Sequence, residues 1–334
     1  MLRADSALVD DLHPSPNIGP RRGVTGPDML LLHYTGMPAC DRAIDWLSRP
    51  ESQVSCHYVI DCDGRVTQMV AEAQRAWHAG VSYWAGETDI NSCSIGFEIH
   101  NRGHNDGYPD FPDAQMRAVI ALAKDCIDRW GIRASRVLAH SDVAPERKDD
   151  PGEKFDWSRL AASGVGHWVT PTPLDCEDGA DVDGRGASPD RVAETQSLLA
   201  AYGYNVPRTG YLDAATTKVV TAFQRHFRPA RVDGCIDAST LLTLRRLLKA
   251  LPAAAAADVW HVANCTPVLS PLQATGAPMA AGPRDRLPCR HYSGIARYAY
   301  RANNLAIFDN GVAAAENDGA AGAGQTIEQG RIVP

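Results

Sequence analysis

The sequence predicts a mixed α/β domain, a central mixed β-sheet flanked by helices, followed by a small three-helix bundle. Short apolar runs alternate with helical periodicities between residues 28 and 169; Pro, Gly, Asp and Ser then crowd residues 170–188; helical periodicity returns over 189–251. The chain has 334 residues, too long for one small domain. Hydrophobic residues at 44% and charged residues at 22% allow a sizeable core and exclude a fibrous or wholly disordered class.

After an N-terminal extension (residues 1–23), the first domain is expected over 24–169. Met29-Leu30-Leu31-Leu32-His33 is a short apolar run of the kind a buried strand needs, and Val137-Leu138-Ala139-His140 is another. Each stops at a histidine, where a sheet delivers side chains to its edge. Residues 38–47, with Ala39, Ala43, Ile44 and Leu47 on one stripe, read as a short helix. Residues 55–60 and 65–70 flank Asp61-Cys62-Asp63-Gly64, and an Asp-Gly between β-prone runs signals a hairpin.

In residues 93–100, Ile95, Phe97 and Ile99 alternate with Gly96, Glu98 and His100, which takes Glu98 off the core side. Asp113 is expected to cap a helix running to Trp130, with Val119, Leu122, Ala123 and Ile127 buried and Gly131 ending it. Residues 170–188 read as a linker. In the bundle, helices near 190–202, 214–227 and 238–249 present Val192/Leu199, Val219/Phe223 and Leu241/Leu244/Leu248 as a core. Two matching segments, from Gly210 to Thr216 and from Gly234 to Thr240, each place an aspartate (Asp213, Asp237) to cap the helix that follows. The Ala-, Gly- and Pro-rich stretch 252–334 reads as a disordered or irregular tail.

A net charge of −7 argues against a nucleic-acid partner, since phosphate binding needs a basic surface. No run of about 18 apolar residues occurs, so no transmembrane segment is expected. The start of the chain carries acids where a signal peptide has its apolar stretch, so no export signal is expected either. Nine cysteines, odd in number and without a C-x-x-C pair, read as free thiols of a reducing compartment.

The chemistry concentrates in the segment from His140 to Gly152, which puts His140, Lys148 and Asp150 on one loop after a strand. With His33 it offers two imidazoles and a carboxylate, a three-ligand set that leaves a fourth zinc position open to water or substrate. A lone strand-end histidine is more often structural, and His57, inside a strand pattern, is read that way. Taken alone, Glu98 and Lys148 would read as solvated charges. Trp77 and His78 either line a substrate groove or, for Trp77, fill core.

At these residues the sequence resembles the amidase-2 family of N-acetylmuramoyl-L-alanine amidases, related to phage T7-type amidases and peptidoglycan recognition proteins. The resemblance covers about residues 24–160 and rests on Leu32-His33-Tyr34-Thr35-Gly36, Ser55-Cys56-His57-Tyr58-Val59-Ile60, Arg75-Ala76-Trp77-His78-Ala79-Gly80, Ser94-Ile95-Gly96-Phe97-Glu98 and the loop from His140 to Gly152. It implies zinc ligands at His33, His140 and Asp150, a general base at Glu98 and a carbonyl-side cation at Lys148. Trp77, His78 and Asn101 are the candidate substrate contacts. Asp149 departs from the pattern, since resembling proteins carry a small polar residue there, and it is a possible competitor for metal.

The bundle resembles peptidoglycan-binding domains through Gln196-Ser197-Leu198-Leu199, Tyr202-Gly203-Tyr204, Gly210-Tyr211-Leu212-Asp213, Ala222-Phe223-Gln224 and Val232-Asp233-Gly234-Cys235-Ile236-Asp237. Such a module would raise local substrate concentration by tethering. The implied activity is zinc-dependent hydrolysis of the amide between N-acetylmuramic acid and L-alanine, in peptidoglycan or muropeptides. Two alternatives are a non-catalytic peptidoglycan recognition protein, against which the complete ligand set speaks, and a zinc peptidase acting within the stem peptide. On location the readings diverge: free thiols and the missing export signal point to the cytoplasm, the binding bundle to the periplasm or cell envelope.

Overall fold

The computed structural model describes residues 2–175 and 187–252. The expected tail, most of the expected linker, and Cys176, Cys265 and Cys289 lie outside the described residues. In chain order the elements are β1 (Asp11–Leu12), β2 (Ile18–Pro20), β3 (Met29–Tyr34), α1 (Cys40–Leu47), β4 (Tyr58–Ile60), β5 (Val66–Gln68), β6 (Gln74–Ala76), α2 (Ile90–Cys93), β7 (Ser94–Ile99), α3 (Asp113–Trp130), β8 (Val137–Ala139), α4 (His140–Val143), α5 (Trp157–Ala162), α6 (Pro189–Tyr202), α7 (Ala214–Phe227) and α8 (Ala238–Lys249).

Six strands form a mixed sheet in the order β1-β5-β4-β7-β3-β8, with β2 and β6 as a separate antiparallel ribbon. β3 runs parallel to both β7 and β8, and β4 parallel to β7. The expected hairpin is present as the antiparallel pair β4–β5. Parallel strands are covered on both faces, which is why β3 reads as an unbroken apolar run rather than an alternating one.

β7 alternates as expected. Ile95, Phe97 and Ile99 pack with Met116, Val119, Leu122 and Ala123 of α3. Glu98 points to the other face, yet it is buried there, because that face is covered as well. The in-register pairs Leu31↔Gly96 and His33↔Glu98 share this second face. Met29 and Leu31 of β3 pack there with Trp84, Ile90 and the bundle.

One detail of α3 differs from expectation. The N-cap is Pro112, in extended conformation, and Asp113 is the first helical residue, with no side-chain cap bond. Its carboxylate pairs with Arg117 and Arg159 and favours the positive end of the helix. Gly131 ends the helix in the left-handed region (φ 67°). In the bundle, Asp213 and Asp237 cap α7 and α8 by accepting from the Thr216 and Thr240 amides at 2.7 and 2.6 Å.

The bundle is docked on the α/β domain. One continuous apolar core joins Met29, Leu31, Trp84, Leu138 and Val143 to Val192, Leu199, Tyr204, Phe223 and Phe227. At its centre lies Asp142 of α4, fully buried. It accepts from the Tyr204 hydroxyl at 2.6 Å, pairs with His226 Nδ1 at 2.6 Å, and accepts from the Ala139 amide at 2.8 Å. A flexible-tether picture of the second module does not fit this contact. Among the described residues no helix is long and apolar enough to cross a membrane.

Candidate active site

His33 is the penultimate residue of β3 and His140 opens α4 directly after β8, so neighbouring parallel strands bring the two imidazoles together at one sheet edge. The loop that follows α4 returns Asp150 to them, held by the Ser141 amide donating to the Asp150 carbonyl at 3.0 Å. His33 Nδ1 and His140 Nδ1 are 2.8 Å apart, and Asp150 Oδ2 lies 3.2 Å from the first and 3.1 Å from the second. All three side chains are buried, and together they form a group with the chemistry and spacing to hold a metal ion.

The hydrogen bonds behind the group decide which nitrogens carry protons. His140 Nε2 faces the Ala79 carbonyl at 3.1 Å, which can only accept, so Nε2 is the protonated nitrogen and Nδ1 keeps its lone pair. Ser94 Oγ donates to the Ile90 carbonyl at 2.6 Å and therefore accepts from His78 Nε2 at 3.3 Å. His78 Nδ1 is then the acceptor for His33 Nε2 at 3.0 Å. That leaves the lone pair of His33 Nδ1 facing the group as well. Two imidazole lone pairs and a carboxylate oxygen thus converge on one spot with no donor among them. This is the arrangement of a cation site whose outer partners orient its ligands.

Electrostatics agree. Burial pushes the His140 pKa down to about 3 and lowers that of His33, with Asp150 opposing in both cases, so both rings are neutral at physiological pH, the form a metal would need.

Glu98, in register with His33, is buried, and among the described residues its Oε2 meets no hydrogen-bond partner. Burial pushes its carboxyl well above the usual range, Asp150 adds to the rise, and the Lys148 charge opposes it. A carboxylate so raised is a stronger base than an exposed one, which suits it to proton transfer. Lys148 is half-buried on the same loop.

The remaining sequence candidates separate. His78 stands behind His33, its Nδ1 3.0 Å from His33 Nε2, and both its backbone amide and that of Ala79 donate to Asn91 Oδ1 at 2.9 and 2.8 Å. Asn101 is buried, its side chain donating to the Pro109 carbonyl and accepting from the Gly103 amide. Trp77 is half-buried with Nε1 unpartnered. His57 is buried with Nδ1 accepting from the Gly96 amide at 2.9 Å. Asp149 pairs with Arg225 of α7 at 2.9 Å, so its side chain serves the bundle contact.

Sequence reasoning missed the Ser94–His78–His33 relay and the Asp142 contact, both made between distant segments. A signal for the first was present in Gly96: a Cβ there would come within 2.6 Å of the His78 ring, so only glycine lets that ring back His33.

A model of the N-acetylmuramoyl-L-alanine amidase family matches residues 23–153, and one of a putative peptidoglycan binding domain matches residues 188–244. Among curated proteins, N-acetylmuramoyl-L-alanine amidase AmiD of Escherichia coli (strain K12) is 38% identical over 234 residues, 66% of this chain and 82% of the relative. The 1,6-anhydro-N-acetylmuramyl-L-alanine amidase AmpD of Enterobacter cloacae is 36% identical, over 48% of this chain and 94% of the relative. Of solved structures, AmiD from E. coli in complex with its substrate anhydro-N-acetylmuramic acid-L-Ala-D-gamma-Glu-L-Lys has a TM-score of 0.59 at 35% identity, covering 68% of this chain and 91% of that one. AMPDH3 from Pseudomonas aeruginosa has a TM-score of 0.57 at 34% identity, covering 70% and 96%.

Proposed function

Because the chain belongs to the N-acetylmuramoyl-L-alanine amidase family and is an amidase of peptidoglycan-derived substrates, we propose that His33, His140 and Asp150 hold its zinc ion, with Glu98 and Lys148 as its catalytic side chains. The observation that carries this reading is the convergence of two imidazole lone pairs and a carboxylate oxygen with no hydrogen-bond donor among them. Two histidines and one carboxylate suit zinc and leave a coordination position open. When bound, the ion lowers the pKa of water and polarises the amide carbonyl.

The chain's own residues supply the rest. Glu98, made a stronger base by burial, takes a proton from water at Oε2 as the carboxylate and passes it to the departing L-alanine nitrogen. Lys148, half-buried on the same loop as His140 and Asp150, is in this reading the cation that stabilises the oxygen gaining charge in the transition state. His78 and Ser94 keep His33 in the ligating tautomer, and Ala79 does the same for His140. We assign His78 and Asn101 to support of the site, since their polar atoms are taken up by protein partners.

We place the catalytic domain at 24–169 and the peptidoglycan-binding domain at 189–251. The latter supports association with the cell wall. The test is mass spectrometry of muropeptides incubated with zinc-loaded protein and with a chelated control. Free stem peptide and unsubstituted amino sugar, lost on chelation, are expected; a shortened stem peptide, or cleavage indifferent to chelator, would overturn the assignment.

A further inference from the structure

A second group of donor atoms converges where β4 and β7 end, on residues the amidase reaction does not use. The two chains stay paired past their strands, the His100 amide donating to the Ile60 carbonyl at 2.8 Å, so that Asp61 and Cys62 of the hairpin turn come up beside His100. One ligand atom from each of Asp61, Cys62 and His100 lies within 4.8 Å of the others. Cys40, the first residue of α1, lines the same pocket as Asp61 and offers its thiol as a fourth donor.

His100 is oriented as a ligand would be. The Thr35 hydroxyl donates to the Asn101 carbonyl at 3.1 Å and therefore accepts from His100 Nδ1 at 3.0 Å, which leaves the Nε2 lone pair for a ligand. The main chain at this point is braced as well: Gln115 Nε2 donates to the His100 carbonyl at 2.8 Å and to that of Ile60 at 3.1 Å.

We propose that Cys40, Asp61, Cys62 and His100 form a second cation site, selective for a zinc-like divalent ion. Two thiols and an imidazole favour zinc or cobalt over magnesium or calcium, and a four-donor set closes the coordination sphere, which is the character of a structural site. Each thiol gives its proton to solvent on ligation, and that of Cys62 gives up its 3.8 Å contact with the His100 carbonyl. The ion would then cross-link the start of α1, the β4–β5 turn and the end of β7, three segments distant in sequence.

The amidase ligands include no sulfur, so a spectroscopic signature separates the two sites. Full-length protein stripped of metal is titrated with cobalt(II), following uptake and the near-ultraviolet thiolate-to-cobalt charge-transfer absorption. Two equivalents and the thiolate band are expected. Cys62→Ser, in an exposed turn, and independently Cys40→Ser should remove the band and one equivalent while leaving the second; His140→Ala should keep the band. Uptake of a single equivalent, two equivalents without the band, or a band that survives both cysteine variants would overturn the proposal.

Discussion

Removing one hydroxyl from the bundle should destabilise the whole protein and disturb the active-site loop. Tyr204→Phe deletes the 2.6 Å hydrogen bond to Asp142 Oδ1 and almost no volume. Tyr204 is 2% exposed and Asp142 is 0% exposed, so water cannot replace the donor. A hydrogen bond to a charged group contributes about 1.5–3 kcal/mol, and a loss of about 2 kcal/mol is expected here. For a protein of this size that corresponds to a melting point lower by about 4–8 °C. Asp142 shares α4 with His140, and the neighbouring Ser141 amide bonds the Asp150 carbonyl, so kcat/KM should fall with the same product formed. Scanning calorimetry of full-length protein, with a double-mutant cycle against His226→Asn, measures the effect; the two changes share Asp142 and should be non-additive. A melting point unchanged within about 1 °C would refute the reasoning and restore a tethered module.

Glu98→Gln should keep zinc content and lower kcat by about 10²- to 10⁴-fold, read by metal analysis beside single-substrate kinetics; full turnover would move proton transfer to another group. Asp150→Ala or His140→Ala should abolish tight zinc binding and activity together, and either variant retaining both would leave the ligand set. Glu72 is a structural test. Burial alone would raise its carboxyl, but bonds from Arg129, Trp130, Tyr58 and Cys126 outweigh that and lower it. Its stabilisation is therefore present above the usual carboxylate pKa and lost as pH falls through the depressed value. Glu72→Gln should cost about 2 kcal/mol at neutral pH, allowing for the partial exposure of Arg129, with a gap to wild type that narrows in acid. Denaturant titration at several pH values measures this, and a gap that widened in acid would refute it.

The sequence by itself determined the local elements and pointed to the candidate ligand types. The apolar run at 29–33, the Asp-Gly turn at 63–64 and the capping aspartates of α7 and α8 act within a few residues, and each appears in the structure. The ligand candidates were legible because each sits where its local pattern stops. What lay beyond it needed the tertiary structure. The burial of Glu98 depends on what covers the second sheet face, and the tautomers of His33 and His140 depend on Ser94, His78 and Ala79 meeting them across the fold. Asp149 looked like a rival ligand until Arg225 was seen to face it. The bundle read as a separable module because composition changes at the linker. Its burial of Asp142 joins residues separated by many tens of positions, and no periodicity along the chain encodes such a contact.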